Sequence, residues 1–171
     1  EINEIFKFFS SNIIAIGEIG LDFYRNRDNE KKQIKAFEIQ CEYALKKNLP
    51  IVIHTRNSID ETIKVVSKYS NQGLKGVFHC FAGNLNQANR IIDLGFKIGV
   101  GGILTFKNSD IRNVISKVDL EHIILETDSP YLSPEPKRGA LNEPANIIFV
   151  SKKLSEICSL PTELVANVTT K

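Results

Sequence analysis

The chain has 171 residues, of which 42% are hydrophobic and 25% charged, and its formal net charge is +2. This composition is typical of a globular chain with one sizeable core, and it excludes disordered, collagen-like and coiled-coil sequences. The small net charge permits an anionic substrate, but it does not indicate a strongly basic nucleic-acid-binding stripe. No apolar stretch approaches the roughly 20 residues of a membrane helix.

The three cysteines, Cys41, Cys80 and Cys158, are scattered along the chain. Their odd number argues against a disulfide scaffold and favours a reducing, cytoplasmic compartment. Residue 1 is Glu, within the helix-like run EINEIFKFFS. We therefore expect the natural start to lie upstream, where a targeting signal would be out of view.

Hydrophobic runs and helical patterns alternate along the chain. The predicted elements, in order, are a strand at 13–18, a helix at 30–47, a strand at 51–54, a helix at 58–69, a strand at 76–80, a helix at 85–94, a strand at 96–100, a short helix near 110–117, a strand at 122–126, a helix from Pro144 and a last helix from Pro161. Asp28 or Asn29 can cap the first main helix, and Asn57 the second. The third opens on Asn84 and Gln87, spaced as a capping box.

Alternating strands and helices predict an α/β fold with a parallel sheet and right-handed crossovers. A closed TIM (β/α)8 barrel has eight strands, whereas five are predicted here, and about 80 residues of the usual barrel length are missing. We therefore expect this chain to cover roughly strands 4 to 8 and their helices. In that case 1–171 is a single metallo-hydrolase barrel domain that lacks its N-terminal strands.

Four apolar runs end in residues that can bind a metal ion: Glu18, His54, His79 and Asp128. In a parallel barrel the carboxyl ends of the strands form one rim, where such side chains meet. The intervals of 36, 25 and 49 residues correspond to one, one and two strand-plus-helix units of roughly 31 residues. The run FKIGV, at 96–100, supplies the strand expected within the double interval.

Two imidazoles and two carboxylates form a mixed site for one or two divalent ions. We favour Mg²⁺ or Mn²⁺ and retain Zn²⁺ as an alternative, because ligand softness alone does not choose among them. Metal ions at such a site activate water and neutralise charge on the attacked group, which is hydrolytic chemistry. Each residue alone has a structural explanation, but four at this spacing favour a metal centre.

Neighbouring residues test this interpretation. His122 begins its strand, at the opposite rim of the barrel, so we expect no function for it. Cys80 should face away from His79, because adjacent strand residues point to opposite faces. Glu126 shares a face with Asp128 by parity, and its expected role is to orient a ligand or form an ion pair.

Arg56, Arg138 and Asn142 are the candidate substrate-binding residues. Arginine binds phosphate through paired hydrogen bonds, whereas Asn142 could instead cap the helix at Pro144. Lys137 is more consistent with solvated surface charge. Three aromatic residues could stack on the bases of a single-stranded substrate or belong to the core: Phe23, Tyr24 and Phe81.

Several strings together resemble the TatD family of metal-dependent deoxyribonucleases, in the amidohydrolase superfamily: GEIGLDFYR, PIVIHTR, FHCFAG, GGILTF and ETDSPYLSPEPKRGALNEP. The resemblance extends from about residue 13 to the end. It implies a TIM barrel, dependence on divalent metal, and a 3′ to 5′ exonuclease acting on DNA. The expected partner is DNA, as single strands or 3′ ends, and no membrane association is expected. It matches Glu18 to a catalytic metal-bridging glutamate, His54 and His79 to histidine ligands, and Asp128 to an aspartate that binds metal and accepts a proton.

The chain departs from the family pattern at two points. It has no His-x-His pair, because the first strand is not in the chain, and LVANVTTK ends where relatives continue. Two alternatives stay open. One is hydrolysis of amides or esters, including aminoacyl-tRNA esters, on the same fold and ligands; the other is an inactive fragment or binding module.

Overall fold

The computed structural model describes residues 12–170, in which strands and helices alternate. The elements are β1 Ile16–Asp22, α1 Glu30–Lys47, β2 Ile51–Arg56, α2 Ile59–Ser70, β3 Gly76–Phe78, α3 Leu85–Asp93, β4 Lys97–Val100, a 3₁₀ turn Gly102–Thr105, α4 Ile111–Ile115, a 3₁₀ turn Leu120–His122, β5 Ile123–Leu125, a 3₁₀ turn Pro144–Asn146, α5 Ile147–Cys158 and α6 Thr162–Thr169. The chain divides into two compact units: the first runs to Phe78 and includes Asp93–Phe96, and the second comprises His79–Ile92 and the residues from Lys97 onward.

The first unit is built on three parallel strands. β1 pairs with β2, where Gly20 lies opposite His54, and β2 pairs with β3. Ile19 and Leu21 are buried on β1, as are Ile51 and Ile53 on β2, while α1 and α2 pack on these strands. Because side chains alternate along a strand, the residues between the buried ones face the opposite side of the sheet.

The second unit contains the parallel pair β4 and β5, with Ile98 opposite Ile123. α5 packs on β5, on the turn Gly102–Thr105 and on α6. The core of this unit is mostly aliphatic; its buried residues include Ile98, Val100, Leu104, Ile115, Ile123, Val150, Leu154 and Val165. Gly102 permits a close approach, since an added Cβ would lie 2.0 Å from the Leu132 carbonyl oxygen.

Most predicted elements are confirmed, although several boundaries differ. The helix 30–47 has the predicted bounds, and Asn84 and Gln87 form the predicted capping box through reciprocal 3.0 Å hydrogen bonds. The N-cap of α2 is Ser58, not Asn57, because Asn57 adopts a left-handed φ of 55° that ends β2 instead. The predicted helix in EINEIFKFFS lies outside the described residues.

Three strand ends differ in a way that affects the site. β2 continues to Arg56, so His54 lies within the strand rather than at its end. β1 begins at Ile16 and continues to Asp22, so Glu18 lies within the strand rather than at its end. β3 ends at Phe78, so His79 and Cys80 follow the strand in a turn. The apolar runs located the strands, but they did not mark where strand geometry stops.

The parallel pairings confirm the α/β class, and five strands are found among residues 12–170, as predicted. Within that range, no helix combines the length and apolar character required to span a bilayer.

Candidate metal centre

The first unit brings two carboxylates to one histidine. His54 Nδ1 lies 2.9 Å from Glu18 Oε1, and His54 Nε2 lies 3.1 Å from Asp22 Oδ2. All three side chains are partly exposed. We call Glu18, Asp22 and His54 the first cluster; it combines one imidazole with two carboxylate groups.

The backbone of β1 is shaped to hold this cluster. The register against β2 shifts between Ile16 and Ile19, and such irregularities redirect side chains in a strand. Gly20 has a φ of +143°, and a Cβ at that position would lie 2.1 Å from the His54 carbonyl oxygen. Only glycine fits this approach, so Gly20 lets β1 and β2 bring Glu18 and Asp22 to His54.

Helix α1 fixes the end of β1 through Gln33. Gln33 Nε2 donates to the Asp22 carbonyl oxygen at 2.9 Å, and Gln33 Oε1 accepts from the Asp22 backbone N–H at 2.8 Å. One amide side chain therefore satisfies both backbone groups of Asp22, as a neighbouring strand would.

Burial alone would raise the pKa of Asp22, but other groups outweigh it. The Tyr24 backbone N–H donates to Asp22 Oδ1 at 2.9 Å, and His54 and Arg56 add a hydrogen bond and favourable charge, so the pKa of Asp22 is lowered. Asp22 is therefore ionised at neutral pH, the state in which a carboxylate binds metal.

The second unit holds a similar group, which we call the second cluster: His79, Glu126 and Asp128. His79 Nδ1 lies 2.7 Å from Glu126 Oε2, and His79 Nε2 lies 3.5 Å from Asp128 Oδ1. The other Glu126 oxygen accepts a hydrogen bond from the Cys80 backbone N–H. These side chains are less exposed than those of the first cluster, at 14% for His79 and 18% for Glu126.

Cys80 corrects one expectation. We predicted that it would face away from His79, but a ligand atom from each of His79, Cys80 and Glu126 lies within 4.8 Å of the others. The prediction was wrong because it assumed strand alternation, whereas β3 ends at Phe78 and Cys80 has a left-handed φ of 46°.

The four predicted ligands thus fall into two contacts, Glu18 with His54 and His79 with Asp128. That all four converge on one ion stays a prediction. Sequence reasoning missed Asp22, which it placed in a loop. Strand alternation could have identified Asp22, since residues 18 and 22 are an even number of positions apart and therefore share a face of an extended strand.

The three predicted substrate-binding residues have different surroundings. Arg56 is exposed, and its guanidinium carbon lies 3.5 Å from the centroid of the Tyr24 ring. Arg138 lies over Phe106 at 3.9 Å and donates to the Ser133 carbonyl oxygen.

Asn142 is buried, and its side chain is bonded within the protein. Its amide donates to the carbonyl oxygens of Thr127 and Tyr131, at 2.7 and 2.6 Å. Its Oδ1 accepts from the Glu143 backbone N–H and from Asn146. These bonds connect the two ends of the proline-rich loop at 128–143, which follows β5. A role for Asn142 in substrate binding stays a prediction.

The aromatic residues and His122 also separate by environment. Phe23 and Phe81 are buried, whereas Tyr24 is exposed. His122 lies in the 3₁₀ turn before β5, with Nε2 3.7 Å from Glu121 Oε1. Its position before the strand agrees with the sequence interpretation.

Both clusters have donor sets suited to a divalent ion. Each offers imidazole nitrogen and carboxylate oxygen within a few ångströms, and this combination binds Zn²⁺, Mn²⁺ or Mg²⁺. His79 also has the partner typical of metal-binding histidines, a carboxylate on the other ring nitrogen. Parallel strands that carry such clusters at or near their carboxyl ends define the class: an α/β chain with the features of a metalloenzyme.

The family follows from comparison with known proteins. The whole chain, residues 1–171, matches the family model described as TatD related DNase, and the chain belongs to this family. It is 40% identical over 170 residues to an uncharacterized metal-dependent hydrolase of Buchnera aphidicola, covering 98% of this chain and 64% of that protein. It is 31% identical to the uncharacterized metal-dependent hydrolase YabD of Bacillus subtilis, covering 93% and 63% of the two chains.

Solved structures of TatD proteins are similar to this chain. The TatD homologue YjjV of Escherichia coli matches with a TM-score of 0.90 at 30% identity, covering 99% of this chain and 65% of that one. A TatD family hydrolase of Entamoeba histolytica matches with a TM-score of 0.81 at 27% identity, over 94% and 62%. The chain therefore spans less than two thirds of the length of these relatives.

Proposed function

We propose that the protein is a metal-dependent hydrolase that cleaves phosphodiester bonds of DNA, as a 3′ to 5′ exodeoxyribonuclease. Membership of the TatD related DNase family supports this, as do relatives described as metal-dependent hydrolases. The observation that carries the proposal is the same in both units: a histidine beside a strand end, with a carboxylate near each ring nitrogen.

In this proposal Glu18, His54, His79 and Asp128 hold one or two divalent ions, Mg²⁺ or Mn²⁺ foremost. When bound, such ions lower the pKa of a coordinated water and neutralise charge on the phosphate. We also propose that these parallel strands belong to a TIM (β/α)8 barrel that forms a single domain.

Three residues in or near the clusters have distinct roles in the proposed reaction. Glu126 accepts a hydrogen bond from the Nδ1–H of His79, and this tautomer leaves the Nε2 lone pair available as a ligand. Asp128, beside that nitrogen, accepts a proton from the attacking water. Arg56 is exposed and neutralises charge on the phosphate. The substrate is DNA, as single strands or 3′ ends, in the cytoplasm.

The test is release of nucleotides from a 5′-labelled single-stranded DNA, with Mg²⁺, with Mn²⁺ and with EDTA. We expect metal-dependent shortening from the 3′ end, and a loss of about 10²-fold or more in His54→Ala and Asp128→Asn. His122→Ala is the matched control and should retain the wild-type rate. The assignment is wrong if both site variants still degrade DNA, or if a charged tRNA is hydrolysed and DNA is not.

A further inference from the structure

One exposed aromatic side chain lies beside the first cluster. Tyr24 follows Asp22 by two residues, and 58% of it is exposed. The guanidinium of Arg56 covers one face of its ring, with its central carbon 3.5 Å from the ring centroid. The exposed surface leaves room for a second planar group against the ring. Phe23, the adjacent aromatic, differs because it is buried.

Backbone contacts hold the stacked pair in place. The Tyr24 N–H donates to Asp22 Oδ1, and Gln33 fixes Asp22 through both backbone groups. The Phe23 N–H donates to the Arg56 carbonyl oxygen at 2.8 Å. The ring and the guanidinium are thereby attached to the ends of β1 and β2, which carry the first cluster. A surface aromatic anchored in this way loses little conformational entropy on binding.

A surface cavity of about 250 Å³ lies at the same place. Its lining combines two guanidinium groups, a carboxylate, a tyrosine ring and three amides: Asp22, Tyr24, Arg25, Asn26, Asn29, Gln33 and Arg56. The amide of Gln33 is bonded to the Asp22 backbone, so Asn26 and Asn29 are the amides that could contact the polar edge of a ligand. Arginine binds phosphate, and an aromatic ring stacks on a base. These are the groups that a nucleotide requires.

We propose that Tyr24 and Arg56 form a binding site for one nucleotide of a single-stranded nucleic acid, with the base stacked on Tyr24 and a phosphate on Arg56. This inference deepens the proposed function and rests on it. The neighbouring cluster places this nucleotide beside the metal centre, so it sets the register of the strand relative to the cleaved bond. Any base can stack on the ring, so we expect no sequence preference. Because the bases of a duplex are already stacked on one another, the site favours unpaired nucleotides.

The test measures binding apart from hydrolysis. Fluorescence anisotropy in EDTA gives the affinity of a labelled single-stranded oligonucleotide and of matched oligonucleotides with one abasic position moved inward from the 3′ end. We expect Tyr24→Leu to weaken binding of the complete oligonucleotide about tenfold, and Tyr24→Phe to bind as the wild type. Tyr131→Leu, which removes another exposed tyrosine, should change nothing.

The abasic series separates stacking from a structural effect. One abasic position should weaken wild-type binding about as much as Tyr24→Leu does, and the variant should lose nothing more on that oligonucleotide. Equal affinity of Tyr24→Leu and wild type for the complete strand would overturn the site, as would an equal loss at every abasic position. If Tyr24→Leu bound and hydrolysed DNA as the wild type does, the nucleotide site would be refuted and the nuclease activity would stand. Base-dependent binding without hydrolysis would refute the nuclease activity and leave the site standing.

Discussion

His79 and Glu126 are joined through the ring nitrogen that faces away from Asp128, with 2.7 Å between Nδ1 and the carboxylate. Glu126 also accepts the Cys80 backbone N–H, so one carboxylate orients both the imidazole and the turn after β3. Replacing Glu126 by Ala should lower Mn²⁺ affinity about 10- to 100-fold, measured by titration calorimetry.

Two further variants separate orientation from general damage. Glu126→Gln keeps an acceptor for His79 and should recover most of the affinity. Glu163→Ala removes an exposed carboxylate of the same unit and should bind Mn²⁺ normally. Wild-type affinity in Glu126→Ala would show that His79 does not depend on this partner.

Gly20 should be intolerant of any side chain. Its φ is +143°, and an added Cβ would lie 2.1 Å from the His54 carbonyl oxygen, a backbone atom that cannot move without displacing β2. Gly20→Ala should therefore lower the free energy of unfolding by about 3 kcal/mol or more, measured by urea denaturation, and should weaken metal binding.

Gly73 is the matched control for that substitution. Its φ of +92° also lies in the range that L residues rarely adopt, but nothing lies within 4 Å of an added Cβ. Gly73→Ala should cost about 1 to 2 kcal/mol and leave metal affinity unchanged. If the two variants were equally stable, the close approach to His54 would not be rigid.

Asn142 should act on stability as well as on any substrate. Asn142→Ala leaves the carbonyl oxygens of Thr127 and Tyr131 without the donor they have now, which should cost about 2 to 4 kcal/mol. The loop at 128–143 should also be cut faster in limited proteolysis. Asn89→Ala, on an exposed position of α3, should leave both measurements unchanged; fast cleavage in neither variant would contradict the structural role.

Two buried groups predict a loss of stability at high pH. Burial, with the charges of Glu38 and Glu42, raises the pKa of Cys41 to about 12 and that of Tyr69 to about 12. The unfolded chain loses these protons near their ordinary values, 9.0 and 10.0, while the folded protein retains them. The free energy of unfolding should therefore fall as pH rises from about 9 to 12, by at most about 1.4 kcal/mol per pH unit for each group.

Urea denaturation at pH 8, 9, 10 and 11 measures this slope. Tyr69→Phe removes one of the two protons and should flatten the fall above pH 10. Tyr131→Phe, an exposed tyrosine, should follow the wild type. A slope that is the same in Tyr69→Phe and in the wild type would rule out the contribution of Tyr69.

The helices and strands were predictable because their buried faces require hydrophobic residues at regular intervals in the sequence. The stripe on α1 and the alternation in β1 and β2 gave their positions, and Asn84 with Gln87 gave a cap, since these signals are local. The left-handed residues Asn57 and Cys80 escaped prediction, because the side chain of neither residue requires that conformation. Asn57 follows β2, which ends at Arg56, two residues later than its apolar run suggested, and Cys80 lies in the turn after β3, which ends at Phe78, two residues earlier than predicted.

The contacts of Glu18 with His54 and of His79 with Asp128 follow from strand-end chemistry. The roles of Asp22 and Gln33 do not, because Asp22 enters the cluster only through a strand that continues past its apolar run. Glu126 was predictable by parity as an orienting group. Asn142 was read as a cap or a substrate contact, and its burial depends on how the loop after β5 folds back, which no local pattern encodes.

Gln33 positions Asp22 without belonging to the first cluster. It projects from α1, yet its amide completes the backbone bonding of Asp22. A substitution of Gln33 would leave Glu18, Asp22 and His54 unchanged in the sequence and would still displace Asp22. Substitutions at this helical position would therefore disturb the first cluster without touching any of its side chains, and a comparison restricted to the cluster residues would overlook them.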